Sequence, residues 1–198
     1  MQTNQNNHNQ TFAQLFAVTQ PDREKLNGHG AKVIWLTGLS GSGKSTLANE
    51  LEVRLHAQNK HTYLMDGDNV RKSLNRDLGF SAESRSENIR RIAEVAQMMK
   101  QAGLIVIVTC ISPFNKDREA AKQLIGENAF LEIYISTPLN ICEQRDTKGL
   151  YKKSRAGLIA QMTGIDSPYE APLNPSLSLD TSNSTVQDGV NQILGVLD

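Results

Sequence analysis

The string Gly38-Leu39-Ser40-Gly41-Ser42-Gly43-Lys44-Ser45 satisfies the pattern G-x-x-x-x-G-K-[ST]. Each residue type at that spacing answers a need of phosphate binding. Gly38, Gly41 and Gly43 let backbone N–H groups curl around phosphate oxygens, where a side chain would block the approach or forbid the torsions. Lys44 reaches the β- and γ-phosphates, and the Ser45 hydroxyl suits Mg²⁺. The string follows an apolar run and opens an amphipathic one, the setting that aims a helix N-terminus at an anion. The chemistry implied is binding of a nucleoside triphosphate such as ATP with Mg²⁺, with Leu39, Ser40, Ser42 and Thr46 completing the loop.

Such a loop does not separate a small-molecule kinase from a GTPase or an ATP-driven motor. Motors usually carry an acid at the end of a second apolar strand. Here the strongest apolar run, residues 104–110 (LIVIVTC), leads into Ile111 with no acid. The acids come instead after residues 61–66 (HTYLMD), in Asp66-Gly67-Asp68-Asn69. Asp66, at a strand end beside the phosphate site, can hold Mg²⁺ through water or accept a hydroxyl proton. The competing reading is a plain turn, since Asp-Gly and Asp-Asn are common turn formers. Two basic clusters follow. Arg71, Arg76, Arg85, Arg90 and Arg91 bracket Asn88, and residues 145–155 place five cations in eleven residues, from Arg145 through Lys148 to Arg155. Either alone reads as a solvated helix face. Gly149 breaks a helix inside the second cluster, however, which points to a mobile lid closing over polyanionic substrates. Arginine suits bidentate binding of phosphate or sulfate, so an acceptor with its own anionic group accounts for both clusters.

The elements that must hold these residues alternate from residue 31 onward. Residues 32–37 (KVIWLT), 61–66, 104–110, 130–136 (FLEIYIS) and, more weakly, 177–181 read as strands. Between them, helical stripes run over residues 44–58, over the segment carrying Ile89, Ile92, Ala96 and Met99, and over residues 116–125 and 138–145. Ser84 and Glu87 fit a capping box for the second of these. A last helix carries Val186, Val190, Ile193 and Leu197. This order implies an α/β fold, an open parallel sheet of the P-loop NTPase type with helices on both faces, plus the basic lid. Ligands then gather just after residues 37, 66, 110 and 136, at the carboxyl ends of the strands.

The 198 residues suit one domain. Lys plus Arg and Asp plus Glu balance at 21 each. No whole-protein field is therefore expected to capture nucleic acid or a membrane surface. No run approaches 18 apolar residues, and the start lacks a signal-peptide pattern, so a cytoplasmic protein is expected. Cys110 and Cys142 are too few for a disulfide framework. Seven of the first ten residues are Asn or Gln. Residues 1–30 therefore read as a polar tail, with Phe12, Leu15, Phe16 and Val18 as candidates to dock on the domain of residues 31–198.

The strings GLSGSGKST, DGDNVR, LNRDLGFS, ENIRR, ISPF, KGLYKK and TGIDSPYE, in this order and spacing, resemble adenylylsulfate kinase, over about residues 31–181. The resemblance implies transfer of the γ-phosphoryl group of ATP to the 3′-hydroxyl of adenylyl sulfate, the second step of sulfate activation, in the cytosol and usually by a homodimer. Residue by residue, it gives Gly38 to Thr46 to ATP, and makes Asp66 the hydroxyl-proton acceptor or Mg²⁺ organiser with Asp68 beside it. Arg71, Arg85 and Asn88 match positions that bind the phosphosulfate and ribose of the acceptor, and Phe80 an aromatic that stacks on its adenine. Lys148, in a lid continued by Gly149 and Leu150, matches the lysine that neutralises the moving phosphoryl group. Arg145 at the lid base is placed to contact the adenine or phosphates of ATP. The family assigns Ser112 as a phosphoserine intermediate. Phosphoryl transfer needs mainly positioning and charge neutralisation, which direct attack already supplies, so a positioning role is favoured here, with Ile111 shaping the acceptor pocket. Two readings compete: a P-loop kinase for another hydroxyl acceptor, and a nucleotide-binding module that regulates a partner.

The sequence departs from the family pattern at Lys72-Ser73, where His-Gly often stands, and at Thr147, commonly Pro. Met162 replaces a Phe that sandwiches the acceptor adenine against the aromatic matched by Phe80. A thioether packs on a purine but lacks a flat π-surface. Met162→Phe is expected to lower the KM for adenylyl sulfate about threefold, from the usual gain of an aromatic pair. An unchanged or raised KM in steady-state kinetics would contradict this.

Overall fold

The computed structural model describes residue 12 and residues 14–197; the Asn/Gln-rich start lies outside the described residues. Five strands form one parallel sheet: β1 (Val33–Thr37), β2 (Thr62–Asp66), β3 (Ile105–Thr109), β4 (Phe130–Ile135) and β5 (Leu177–Leu179). Their spatial order is β2-β3-β1-β4-β5. Every residue of β1 and β3 is buried, which is why these two segments run apolar without alternation. Successive side chains of β1 divide between two cores. Val33 and Trp35 pack with Ile89, Ile92 and Ala96 of α4 (Ala82–Gln101) and Ile125 of α5 (Asn115–Ile125). Ile34 and Leu36 pack with Leu47 and Leu51 of α2 (Lys44–Ala57) and with Val190 and Ile193 of α8 (Val186–Gly195).

The register levels the strand ends. Thr109 pairs with Leu36 on one side and with Asp66 on the other. The carboxyl ends of the three strands beside the phosphate loop therefore stop on one line, where open parallel sheets bind ligands. A third, smaller cluster lies off the sheet. It joins Cys142 of α6 (Leu139–Arg145), Tyr151 of α7 (Leu150–Arg155) and Met162, with Leu39 and Leu150 packed against them. The lid segment is thereby seated on the outer side of the phosphate loop.

Four local expectations are corrected. Within the stretch read as a tail, Gln20–Asn27 is a helix, α1. Thr19 and Asp22 cap it reciprocally, Pro21 fits its first turn, and Gly28 closes it in the left-handed conformation. It docks through Arg23 to the Gln101 carbonyl at 3.2 Å and Asn27 to the Gly103 carbonyl at 2.9 Å. Phe12, Leu15, Phe16 and Val18 do not pack on the domain; Leu15 is 98% exposed. The long helix α4 starts at Ala82, with Ser81 accepting the Ser84 N–H at 3.2 Å, and Glu87 instead binds Arg90 and Arg91. Residues after Asp66 form neither a plain turn nor a loop but a short helix, α3 (Gly67–Lys72), capped by the Asp66 side chain itself.

Candidate active site

The phosphate loop leaves β1 at Gly38 and enters α2 at Lys44. Gly38 and Gly41 adopt φ of 147° and 75°, and a Cβ would meet the Ile135 carbonyl oxygen at 2.5 Å and the Cys142 carbonyl oxygen at 2.9 Å respectively. Torsion and close approach both demand glycine at these two positions. Lys44 is buried, and its Nζ donates to the Gly38 and Leu39 carbonyls at 2.8 and 2.6 Å. Burial pushes its ammonium down to about 8. On the loop's other flank the Ser42 carbonyl accepts from Thr137 Oγ1 at 3.1 Å and Thr181 Oγ1 at 2.9 Å.

Asp66 faces the loop from the end of β2. One carboxylate oxygen accepts from Ser45 Oγ at 2.8 Å and Thr109 Oγ1 at 2.9 Å, and the other from the Asp68 and Asn69 amides at 3.1 and 3.4 Å. Burial alone would raise this carboxyl. The four donors, Ser45 first, outweigh burial and hold it below the usual carboxylate range. Asp66 is thus an ionised, fixed oxygen donor at neutral pH. Across the cleft Lys148, between α6 and α7, forms an ion pair with Asp68.

The opposite wall carries two guanidinium groups around one ring. Arg71 lies 4.7 Å and Arg85 5.6 Å from the Phe80 centroid. Arg71 donates to the Gly79 carbonyl at 2.9 Å, and Arg85 donates to the Phe80 carbonyl at 2.9 Å and to the Gln161 carbonyl. Burial lowers the pKa of both, and the Arg71 charge adds to the effect on Arg85. Two desolvated cations side by side favour an anion between or above them. Phe80, 56% exposed, offers its ring to the cleft. Asn88 is buried, and its Oδ1 accepts from Asn75 Nδ2 at 3.0 Å, which leaves its own NH₂ group to donate into the cleft.

One cavity of about 860 Å³ unites these walls. Its lining includes Ser40, Gly41, Gly43, Lys44, Ser45, Thr46, Asp66, Asp68, Arg71, Phe80, Arg85, Asn88, Ile111, Ser112, Arg145, Lys148, Leu150 and Met162. Gly38, Leu39, Ser42 and Gly149 stand behind this surface: Leu39 packs in the lid cluster, and Gly149 caps α7 at φ 64°. Met162 is only 7% exposed, with much of its side chain given to that same cluster. Arg145 donates to Thr181 Oγ1 and to the Thr181 carbonyl at 2.8 and 2.7 Å, which fixes it at the lid base.

Ser112 is 1% exposed with φ 40°. Its Oγ accepts from Trp35 Nε1 at 3.1 Å and donates to Thr37 Oγ1 at 2.9 Å. Thr37 passes the bond on to the Ile111 carbonyl at 2.7 Å. Arg118, in the segment read as helical over residues 116–125, is buried beneath this turn. It donates to the Ser112 carbonyl at 2.5 Å, to Glu132 at 2.7 Å and to the Glu170 carbonyl at 2.8 Å. Asn75, Thr109 and Arg118 are site-building residues that the motifs do not single out. Only the strand register points to one of them, Thr109, beside Asp66.

The Lys44 titration has a measurable consequence. Its ammonium is the phosphate-binding form, so affinity for a triphosphate is complete below about pH 8 and falls as pH rises through that value. The kcat/KM for ATP, which reports the free protein, is expected to bend downward above about pH 8. In Lys44→Arg, whose guanidinium stays charged, the bend should vanish even though the absolute rate drops. A bend that persists in this variant would assign it to another group.

Residues 30–180 match the family model for adenylylsulphate kinase. The chain is 54% identical over 181 residues to the adenylyl-sulfate kinase of Pseudomonas entomophila (strain L48), covering 91% of this chain and 87% of that one. It is 60% identical over 168 residues to the bifunctional enzyme NodQ of Rhizobium tropici, covering 85% of this chain and 27% of that protein. The solved structure of the Mycobacterium tuberculosis APS kinase CysC in complex with AMPPNP and APS aligns with a TM-score of 0.81 at 43% identity, over 85% of this chain and 98% of that one. A phosphate loop, an ionised strand-end aspartate and an arginine-flanked aromatic in one cleft thus stand in a chain that belongs to the adenylylsulphate kinase family.

Proposed function

We propose that the protein transfers the γ-phosphoryl group of ATP to the 3′-hydroxyl of adenylyl sulfate, giving 3′-phosphoadenylyl sulfate and ADP. The observation that carries this reading is the single cavity in which the phosphate loop and the Arg71–Phe80–Arg85 wall face each other across Asp66. The loop and Lys44 take the triphosphate of the donor. Phe80 takes the acceptor adenine by stacking, while Arg71, Arg85 and Asn88 take its anionic and ribose oxygens. Asp66, held ionised by its donors, is a weak proton store but a strong hydrogen-bond acceptor. Its work is to orient the attacking hydroxyl, and in-line displacement with a loose transition state asks for little more. Lys148 brings a positive charge to the moving phosphoryl group when it leaves Asp68.

The oxygen donors Ser45 and Asp66, in mutual contact at 2.8 Å, fit Mg²⁺. That ion binds through one or two protein oxygens together with substrate phosphates rather than in an all-protein cage. Bound there it would neutralise charge on the β- and γ-phosphates. Ser112 is read as a positioning residue, because its hydroxyl is buried and both gives and receives a hydrogen bond. A cytoplasmic homodimer completes the reading. The exposed Phe12, Leu15 and Phe16 offer apolar area that a second copy would cover.

An ADP-release assay with Mg·ATP, comparing adenylyl sulfate with AMP, adenosine and gluconate, tests the reaction. Turnover with adenylyl sulfate alone is expected. Equal turnover with AMP would mean that the sulfate is not read. Turnover with gluconate instead would point to another kinase reaction on the same loop.

A further inference from the structure

The lid segment meets the phosphate loop from behind through apolar packing on Leu39 and one hydrogen-bonding hydroxyl. Tyr151, three residues after Lys148, is 2% exposed, and its OH donates to the Ser40 carbonyl at 2.8 Å. Its ring packs with Cys142, Met162 and Leu39. Burial keeps the phenol above its ordinary range, so it remains a donor at any working pH.

That bond fixes more than a carbonyl. In a planar trans peptide the C=O of one residue and the N–H of the next point in opposite directions, and no cis peptide occurs among the described residues. A Ser40 carbonyl turned outward to Tyr151 therefore turns the Gly41 N–H toward the concave side of the loop. Gly41 lines the cavity there. Gly41, with φ 75° and no side chain, has little of its own to resist rotation of this peptide plane. The reversed plane would present an oxygen where phosphate oxygens must lie. The next carbonyl, of Gly41 itself, has only a long 3.4 Å contact from Arg145 to hold it. Tyr151 is thus the strong anchor at this part of the loop.

We propose that Tyr151 is a positioning residue for phosphoryl transfer. Its hydroxyl locks the Ser40–Gly41 peptide with the amide facing the nucleotide phosphates, and it ties that amide to the segment that carries Lys148. This deepens the reading of the loop as the ATP site and rests on it. One short stretch of chain then reaches both partners of the reaction, Lys148 toward Asp68 on one side and Tyr151 toward the loop on the other.

The test is Tyr151→Phe, which keeps the ring and its packing. The KM for ATP and the Kd for ADP, measured by calorimetry, are expected to rise about three- to tenfold, as for loss of one buried hydrogen bond to a binding element. The KM for adenylyl sulfate should stay unchanged. A purely structural role would lower the melting temperature and leave nucleotide affinity alone, and that result would overturn the proposal. An equal weakening for both substrates would overturn it as well. Should the variant be less stable, the rise in melting temperature produced by ADP still reads the affinity, and it should be smaller than in the wild type. ADP binding needs no acceptor. A wild type that binds ADP but fails to phosphorylate adenylyl sulfate would count against the proposed reaction, while the ADP comparison would still decide the role of Tyr151.

Discussion

Lys44 carries an ammonium into the interior of the phosphate loop, where the Gly38 and Leu39 carbonyls hold it at 2.8 and 2.6 Å. Burying a charge without a contacting counter-ion is costly, and the downward shift of its pKa records that cost. The surrounding architecture serves to keep this cation in place and exposed to one kind of ligand. Carbonyls at the start of the loop turn inward to it. The Ser40 and Ser42 carbonyls turn outward, to Tyr151 and to Thr137 and Thr181. Amides and an ammonium are left to face the cavity, and a polyphosphate is the ligand that relieves the imbalance.

The wall proposed to take the acceptor follows the same logic with different groups. Arg71 is partly buried and Arg85 buried around Phe80, and both are bonded to carbonyls rather than carboxylates. Between the two cationic walls stands Asp66, whose negative charge is maintained by four donors from three elements, α2, β3 and α3. That arrangement couples the phosphate loop, the sheet and α3, which carries Arg71, through one carboxylate. It also explains why α3 exists: a helix of only six residues is capped by the side chain that the chemistry needs.

Apolar runs and the glycine motif made the sheet and the phosphate loop legible in the sequence, because each depends on local spacing, whereas the grouping of Arg71, Phe80 and Arg85 came from the family resemblance. The misses have a common physical cause. Arg118 sits in NKDREAAKQ, which has the composition of a solvated helix face, and only the packing of β4 and the turn after β3 makes it a buried clamp. Tyr151 is part of a basic lid motif, and its partner Ser40 is 111 residues away. Asn75 acts through Asn88 across a loop that carries no periodic signal. Helix α1 is different, since Thr19-x-Pro-Asp is a local capping signal that polar composition upstream masked. The cap of α4 at Ser81 rather than Ser84 shows two serines competing for one cap, with the earlier one following directly on Phe80.

Ser112 is where a covalent route and a direct route part. Its hydroxyl lies at the cavity lining in a relay from Trp35 to Thr37, with Ser112 only 1% exposed, and Arg118 clamps its carbonyl. In the proposed reaction the phosphoryl group passes straight from ATP to the acceptor hydroxyl across the Asp66 carboxylate. Rapid-quench analysis of a single turnover with γ-labelled ATP and adenylyl sulfate tests this most directly. The label should move from ATP to the ribose 3′ position of the product with no protein-bound fraction at any time. Label that appears on Ser112 first, and decays at the rate at which product forms, would contradict the account.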